Sequence, residues 1–275
     1  MKLFNKVAIV GTGLIGGSLA LAIKKSGLAG EIVGVSRHKK SLVLAKRRGA
    51  INRGSQSLEI IKGADLVVLA TPVDTILAFA PKISKFIKKD AIVTDVGSTK
   101  ERIVKSLEKR FPNFVGSHPL AGSEKRSIAN AHPDLFKNSL CLLTPTKKTN
   151  KRAMNKINIL WKKVGAKTIF IDPERHDKIL AFVSHLPHIV AFSLIEAVPR
   201  NFLRFGSTGL KDTTRIAASD SELWAEIFLS NQKNILKTIS LFKRNISSIE
   251  SAIKRKNRKS LGEILERAKN KRLKL

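Results

Sequence analysis

Two short segments carry the residues best suited to chemistry. They are Asp95-Val96-Gly97-Ser98-Thr99-Lys100 and Gly116-Ser117-His118-Pro119-Leu120-Ala121-Gly122-Ser123-Glu124. Each follows an apolar run that reads as a buried strand, residues 91–94 and 113–115. If those strands share one sheet, Ser98 and His118 emerge together at its edge. Such a pair supplies a general base and a hydroxyl that can orient it. The plainer alternative is a capping serine and a satisfied surface histidine. A cofactor loop upstream and matching polar residues downstream weigh against that alternative.

The elements that must position this pair are legible in the apolar pattern. Residues 7–10, 31–35, 64–70, 91–94, 114–115, 140–143 and 168–171 read as short strands, and 17–25 and 151–164 as helices. This alternation is the signature of an α/β fold, here a Rossmann-type parallel sheet. After Asp172-Pro173 the strand signal stops. Ile179, Phe182, Val183, Leu186 and Val190 recur at helical spacing, as do Ile227, Ile235, Ile239 and Phe242. The expected organisation is a dinucleotide-binding Rossmann domain over residues 1–172 and a helical substrate and dimerisation domain over 173–275. Within the second domain, residues 204–214 read as irregular and 254–275 as a solvated basic final helix. Helices with wide apolar faces in so small a domain need a partner, so a homodimer is expected.

Gly11-Thr12-Gly13-Leu14-Ile15-Gly16 follows the first strand and opens a helix, the context that gives a G-x-G-x-x-G run meaning. Gly11 permits the tight turn, Gly13 lets the backbone approach a pyrophosphate, and Gly16 lets helix and strand pack closely. The free N–H groups and dipole of the helix N-terminus favour that anion. The second strand ends in Ser36-Arg37, then His38-Lys39-Lys40. A carboxylate there would hold the ribose hydroxyls of NAD. None is present to repel a 2′-phosphate, and Arg37 can pair with one bidentately. The expected cofactor is therefore NADP in preference to NAD, with Ser36 and Arg37 as its selectors.

The 275 residues carry a formal net charge of +31, with 12 Lys or Arg against 3 Glu from residue 243 onward. A nucleic-acid partner is one reading of that excess. No nucleic-acid-binding motif accompanies it and aromatic residues make up only 5%, so lysine-rich composition over an ordinary scaffold is favoured. Such a field also draws in anionic substrate and cofactor. The single cysteine, Cys141, excludes an internal disulfide and a cysteine metal cluster. No third ligand lies at suitable spacing from His185 and His188, so no metal site is expected. The N-terminus lacks a signal-peptide pattern and no apolar run reads as a membrane span, which points to a cytoplasmic protein with no membrane partner.

Taken together, these motifs resemble the prephenate/arogenate dehydrogenase family. The resemblance covers roughly residues 6–245. It rests on Gly11 to Gly16, Thr71-Pro72-Val73, Asp95 to Lys100, Gly116 to Glu124, Ser184-His185-Leu186-Pro187-His188, Lys211 to Ala217, Ser219-Asp220 and Trp224. It implies an N-terminal Rossmann domain, a helical dimerisation domain, and NAD(P)-dependent oxidative decarboxylation of prephenate or arogenate in tyrosine biosynthesis. By resemblance His118 is the catalytic histidine, Ser98 its hydrogen-bond partner, and Arg215 the group that binds the ring carboxylate. His188 helps hold the substrate side chain, His185 supports the polar network, and Trp224 lines the side-chain end. Glu124 and Asp212 match network positions that orient His118 and Arg215. Gly11, Gly13, Leu14, Ile15, Gly16, Ser36, Arg37, Thr71 and Pro72 fall on the cofactor side.

Three departures from the family pattern fall near the side-chain pocket. Gly206-Ser207-Thr208-Gly209 is poorer in glycine, Leu210 and Thr213 replace aromatic residues, and Ser221 stands where proline is usual. They leave the choice between a keto-acid and an amino-acid substrate open. Two other readings stay open at this point. One is a different two-domain β-hydroxyacid dehydrogenase or imine reductase, which would not require His118 with Ser98. The other is a basic Rossmann-scaffold binding protein with no hydride transfer.

Overall fold

Alternate residues of the central strands point to opposite faces, and both faces are apolar. On the first strand Val7 and Ile9 join one core cluster, and Ala8 and Val10 the other. Leu66 and Val68 alternate with Val67 and Leu69 in the same way on the fourth. A strand apolar on both faces must be covered on both, which demands helices above and below a largely parallel sheet. The computed structural model, which describes residues 2–122 and 127–275, has that architecture.

The sheet has eight strands: β1 Phe4–Val10, β2 Ala29–Val35, β3 Arg53–Ser55, β4 Leu66–Leu69, β5 Ile92–Asp95, β6 Phe114–Pro119, β7 Leu140–Thr144 and β8 Lys167–Phe170. Their order is β3-β2-β1-β4-β5-β6-β7-β8. The helices over the sheet are α1 Leu14–Lys25, α2 Lys39–Arg47, α3 Val73–Ile83, α4 Glu101–Leu107 and α5 Lys151–Lys163. Strands β1 to β6 are parallel, and the chain direction reverses at β7, which pairs antiparallel with β6. The switch point lies between β1 and β4, and ligands bind outside the strand carboxyl ends at such a point.

Beyond Phe170 the described chain is helical. Asp172 caps α6, Pro173–Leu180, by accepting the N–H of Arg175. A π-helical turn, Ala181–His185, leads into α7, Leu186–Glu196. Then come α8 Thr208–Thr214, α9 Ser221–Ser230, α10 Gln232–Lys254 and α11 Arg258–Arg272. The last of these is an exposed basic helix.

Several expectations are corrected. α1 begins at Leu14 rather than 17, so Gly16 lies inside its first turn. β3 is a three-residue exposed strand too short to show a pattern. Residues 204–214 are not irregular, since a 3-10 turn, Arg200–Phe205, and α8 cover most of them. β6 runs on through His118 to Pro119 because β7 supplies its partner, pairing Leu142 with His118 and Cys141 with Pro119. The expectation that no apolar run is long enough for a bilayer also fails. Pro173–Glu196 is a continuous helical stretch of 24 residues that passes on length and composition. Its buried positions include His176, Asp177 and His185, which are committed to the polar network below.

Candidate active site

A cleft of about 380 Å³ opens at the switch point. Its walls include Gly13, Leu14 and Ile15 from the glycine loop, Thr71 and Pro72 after β4, Ser98 after β5, His118 on β6, and Trp224 on α9. Residues 11–16, 71–72, 98 and 118 converge for a topological reason. β5 and β6 pair only through Val93–Phe114 and Thr94–Val115, after which the strands part. The parting leaves room for Gly97 and Ser98 on one side and His118 on the other.

The glycine loop is shaped for a dinucleotide. Gly11 has φ +103°, and a Cβ there would stand 2.4 Å from the Ala70 carbonyl oxygen. A Cβ on Gly16 would stand 2.0 Å from the Gly11 carbonyl oxygen. By contrast, nothing lies within 4 Å of where a Gly13 side chain would begin. That open space adjoins the N-terminus of α1, which has no side-chain cap and no acidic residue in its first turn. Thr12 Oγ1 and Thr71 Oγ1 are buried there without a protein hydrogen-bond partner. Unsatisfied buried hydroxyls beside a bare helix N-terminus fit an anionic, hydrogen-bonding cofactor. Ser36 and Arg37 sit at the end of β2, where the Arg37 side chain is exposed and its Nε donates to His38 at 2.9 Å.

His118 is half-buried, and its Nδ1 lies 2.9 Å from Nε2 of His176 on α6. His176 Nδ1 in turn lies 2.8 Å from Asp177 Oδ1. Asp177 also accepts the backbone N–H of Lys100 at 2.7 Å and of Glu101 at 3.0 Å, at the start of α4. The Asp177 carbonyl accepts from Asn231 Nδ2 at 2.7 Å, and that amide also lies 3.2 Å from His185 Nδ1. The two domains are therefore joined directly behind the cleft. Beneath it, Lys100 Nζ pairs with Asp95, both side chains being fully buried. Thr99 Oγ1 donates to Ser230 at 3.1 Å across the same junction.

The predicted partner of His118 is corrected. Ser98 shares the cleft, but the imidazole's hydrogen bond runs to His176 because β6 carries Nδ1 towards α6. His188 stacks on Trp224 with ring centroids 3.4 Å apart, and His185 meets the Trp224 edge at 6.2 Å. Neither histidine lines the cleft, so both reach it through the indole. Arg215 and Asp212 are exposed and do not line it either, because α8 and the 3-10 turn Arg215–Ala218 pack against α7 instead. Ser219 and Asp220, directly after that turn, do line it. Glu124 lies outside the described residues. No cluster of metal-ligating side chains occurs among the described residues.

Burial sets the charge of these groups. It holds His118 well below the ordinary imidazole value, with His176, Lys100 and His185 adding to the effect. The ring is therefore neutral at pH 7 and able to accept a proton. Burial likewise lowers His176 against the opposing pull of Asp177, lowers His188, and brings His185 to about 4. It pushes the Cys141 thiol up, which leaves that thiol inert.

The sign of the pH effect on stability follows. Between His185's folded value of about 4 and its ordinary 6.5, the unfolded state binds more protons than the folded one. Stability is fully present above pH 6.5 and is lost as pH falls towards 4, by about 3 kcal/mol from this residue alone. The melting temperature should fall on going from neutral pH to about pH 5, and His185→Gln should flatten the slope. A midpoint that is flat across that range would contradict the assignment.

Two family models match the chain, prephenate dehydrogenase nucleotide-binding domain over residues 19–170 and prephenate dehydrogenase dimerization domain over 172–267. The chain is 35% identical to the prephenate dehydrogenase of Bacillus subtilis, covering 97% of this chain and 75% of that protein. It is 34% identical to the cyclohexadienyl dehydrogenase of Zymomonas mobilis, covering 92% and 90%. A solved structure of prephenate dehydrogenase from A. aeolicus in complex with hydroxyphenyl propionate and NAD+ superimposes with a TM-score of 0.93. It is 37% identical, and 98% of each chain is covered.

Proposed function

The chain belongs to the prephenate dehydrogenase family, and from that premise we propose that it oxidatively decarboxylates prephenate with His118 as the base. The observation that carries this reading is the position of His118, a neutral imidazole lining one cleft with the glycine loop and Ser98.

A nicotinamide dinucleotide, held by Gly11 to Gly16 with Thr12, Thr71 and Pro72, supplies the hydride acceptor. His118 Nε2 accepts the proton of the substrate's ring hydroxyl as hydride leaves the same carbon. The opposite carbon–carboxylate bond then breaks, and its electron pair enters the ring. The ring oxygen takes the proton back from His118 and ends as a phenol. Aromaticity drives the sequence, so the protein mainly needs to position the reactants and supply one base.

Ser98, in the same cleft wall as His118, would hydrogen-bond the reacting hydroxyl. Arg215 is assigned to the ring carboxylate on its motif alone, since its side chain is exposed outside the cleft wall; a planar fork suits a carboxylate better than lysine would. Asp212, three residues before Arg215, and Glu124, which lies outside the described residues, keep the orienting roles that the family motif implies. Trp224, braced by His188 and His185, lines the side-chain end. A homodimer forms through the helical domain, supported by its match to a dimerization domain and by exposed Phe182, Val183, Leu229 and Leu236.

Initial rates of nicotinamide reduction with prephenate and with arogenate, each with NADP and with NAD, test the whole reading. Turnover of prephenate is expected to exceed that of arogenate, and no turnover of either would end the proposal. NADP should be the better cofactor, because Arg37 can fork onto a 2′-phosphate and no acid stands beside it. Arg37→Asp should raise KM for NADP by about tenfold or more, the loss of one charge-assisted pair. An unchanged KM for NADP would remove the argument from Ser36 and Arg37.

A further inference from the structure

We infer that His176 and Asp177 form a positioning relay that fixes the tautomer of His118. The inference deepens the reading of His118 as base and rests on it. Asp177 can only accept, so the proton between it and His176 sits on His176 Nδ1, 2.8 Å away. That leaves His176 Nε2 as an acceptor. The proton shared across the next 2.9 Å contact must therefore sit on His118 Nδ1. His118 Nε2 then carries the free lone pair. One carboxylate thus sets the protonation of an imidazole two side chains away, and aims its basic nitrogen at the substrate.

The relay is held from several directions. Asp177 is clamped by the N–H groups of Lys100 and Glu101 at the start of α4, and its carbonyl by Asn231. His176 and Asp177 are both buried, so water does not compete for these bonds. Lys100, paired with Asp95, and His185 are the other ionisable groups acting on His118 and His176. When His118 takes the hydroxyl proton at Nε2, it becomes an imidazolium still bonded through Nδ1 to His176. The Asp177 charge stabilises that cation through the intervening ring. No proton need leave the relay, and the one on Nε2 returns to the product oxygen.

The test combines kinetics with nitrogen NMR of the histidine-labelled full chain. In the wild-type protein His118 should show a protonated Nδ1 and a bare Nε2. His176→Leu removes the acceptor and should lower kcat about a hundredfold, with KM for prephenate within about twofold. His176→Gln places a carbonyl near the former Nε2 and should recover most of that loss. Asp177→Asn keeps a carbonyl oxygen where Asp177 Oδ1 accepts from both His176 and the Lys100 N–H, so the His118 tautomer should hold. Its kcat should still fall, because the charge that stabilises the imidazolium is gone.

A folded His176→Leu variant with wild-type kcat, or a wild-type His118 protonated at Nε2, would overturn the relay. If His176→Leu fails to fold, the wild-type tautomer and the His176→Gln kinetics still decide. His118→Asn separates the two claims. If it is inactive while His176→Leu keeps full kcat, only the relay falls. If His118→Asn itself turns over normally, the reading of His118 as base falls first.

Discussion

His118→Asn lowers kcat by about a thousandfold while KM for prephenate changes little. A positioned general base contributes about 10²–10⁴ in rate, and a thousandfold corresponds to about 4 kcal/mol of activation free energy. Asparagine suits the test because its amide can still donate to His176 Nε2, so the bond that β6 makes to α6 survives. What is lost is the lone pair facing the cleft. The glycine loop and Trp224 are untouched, so cofactor and substrate still bind, and the defect falls on the chemical step. Steady-state rates with saturating cofactor give the split directly. A variant that loses KM and keeps kcat would make His118 a binding group, and the base would have to be sought elsewhere in the cleft.

The parts of this site that were readable in the sequence are those where local backbone and chemistry coincide. Gly11 to Gly16 is legible because a positive φ, a close approach and a helix start must follow one another within six residues. Ser98 and His118 are legible because each follows an apolar strand, and parallel strands end on the same side. Their orientation was not. Only the antiparallel pairing of β7 with β6 carries His118 on within an extended strand and sets its ring towards α6. His176 lies 58 residues from His118, on the first turns of a helix that reads from sequence as an ordinary amphipathic one. The one available signal was an adjacent His-Asp pair just inside a capped helix start. Arg215 and Asp212 show the reverse case. Their motif is present, yet α8 and the 3-10 turn after it pack on α7, and periodicity holds no information about which face of α7 they choose.

Lys100 is the residue whose place was least legible, since a lysine at a helix start ordinarily reads as solvent-exposed, and its replacement has the largest expected effect on stability. Lys100→Met should destabilise the fold by about 3–5 kcal/mol, the range for breaking one side of a buried ion pair. Methionine keeps most of the volume, so the loss is electrostatic rather than a cavity. Asp95 would then be a fully buried carboxylate left with two backbone donors, Gly97 N–H at 2.9 Å and Ser117 N–H at 3.3 Å. Those same bonds tie the end of β5, the turn leading to Ser98, and β6 next to His118. The ion pair therefore braces both walls of the cleft at their root. The melting temperature should drop by about 10 °C, at roughly 2–4 °C per kcal/mol for a chain of this size. The double variant Asp95→Asn with Lys100→Met should be more stable than the single Lys100→Met, because it removes the stranded charge along with its partner. A single variant that melts within about 2 °C of the wild type would mean that the lysine is not bearing that charge, and that the two backbone N–H groups suffice to hold Asp95.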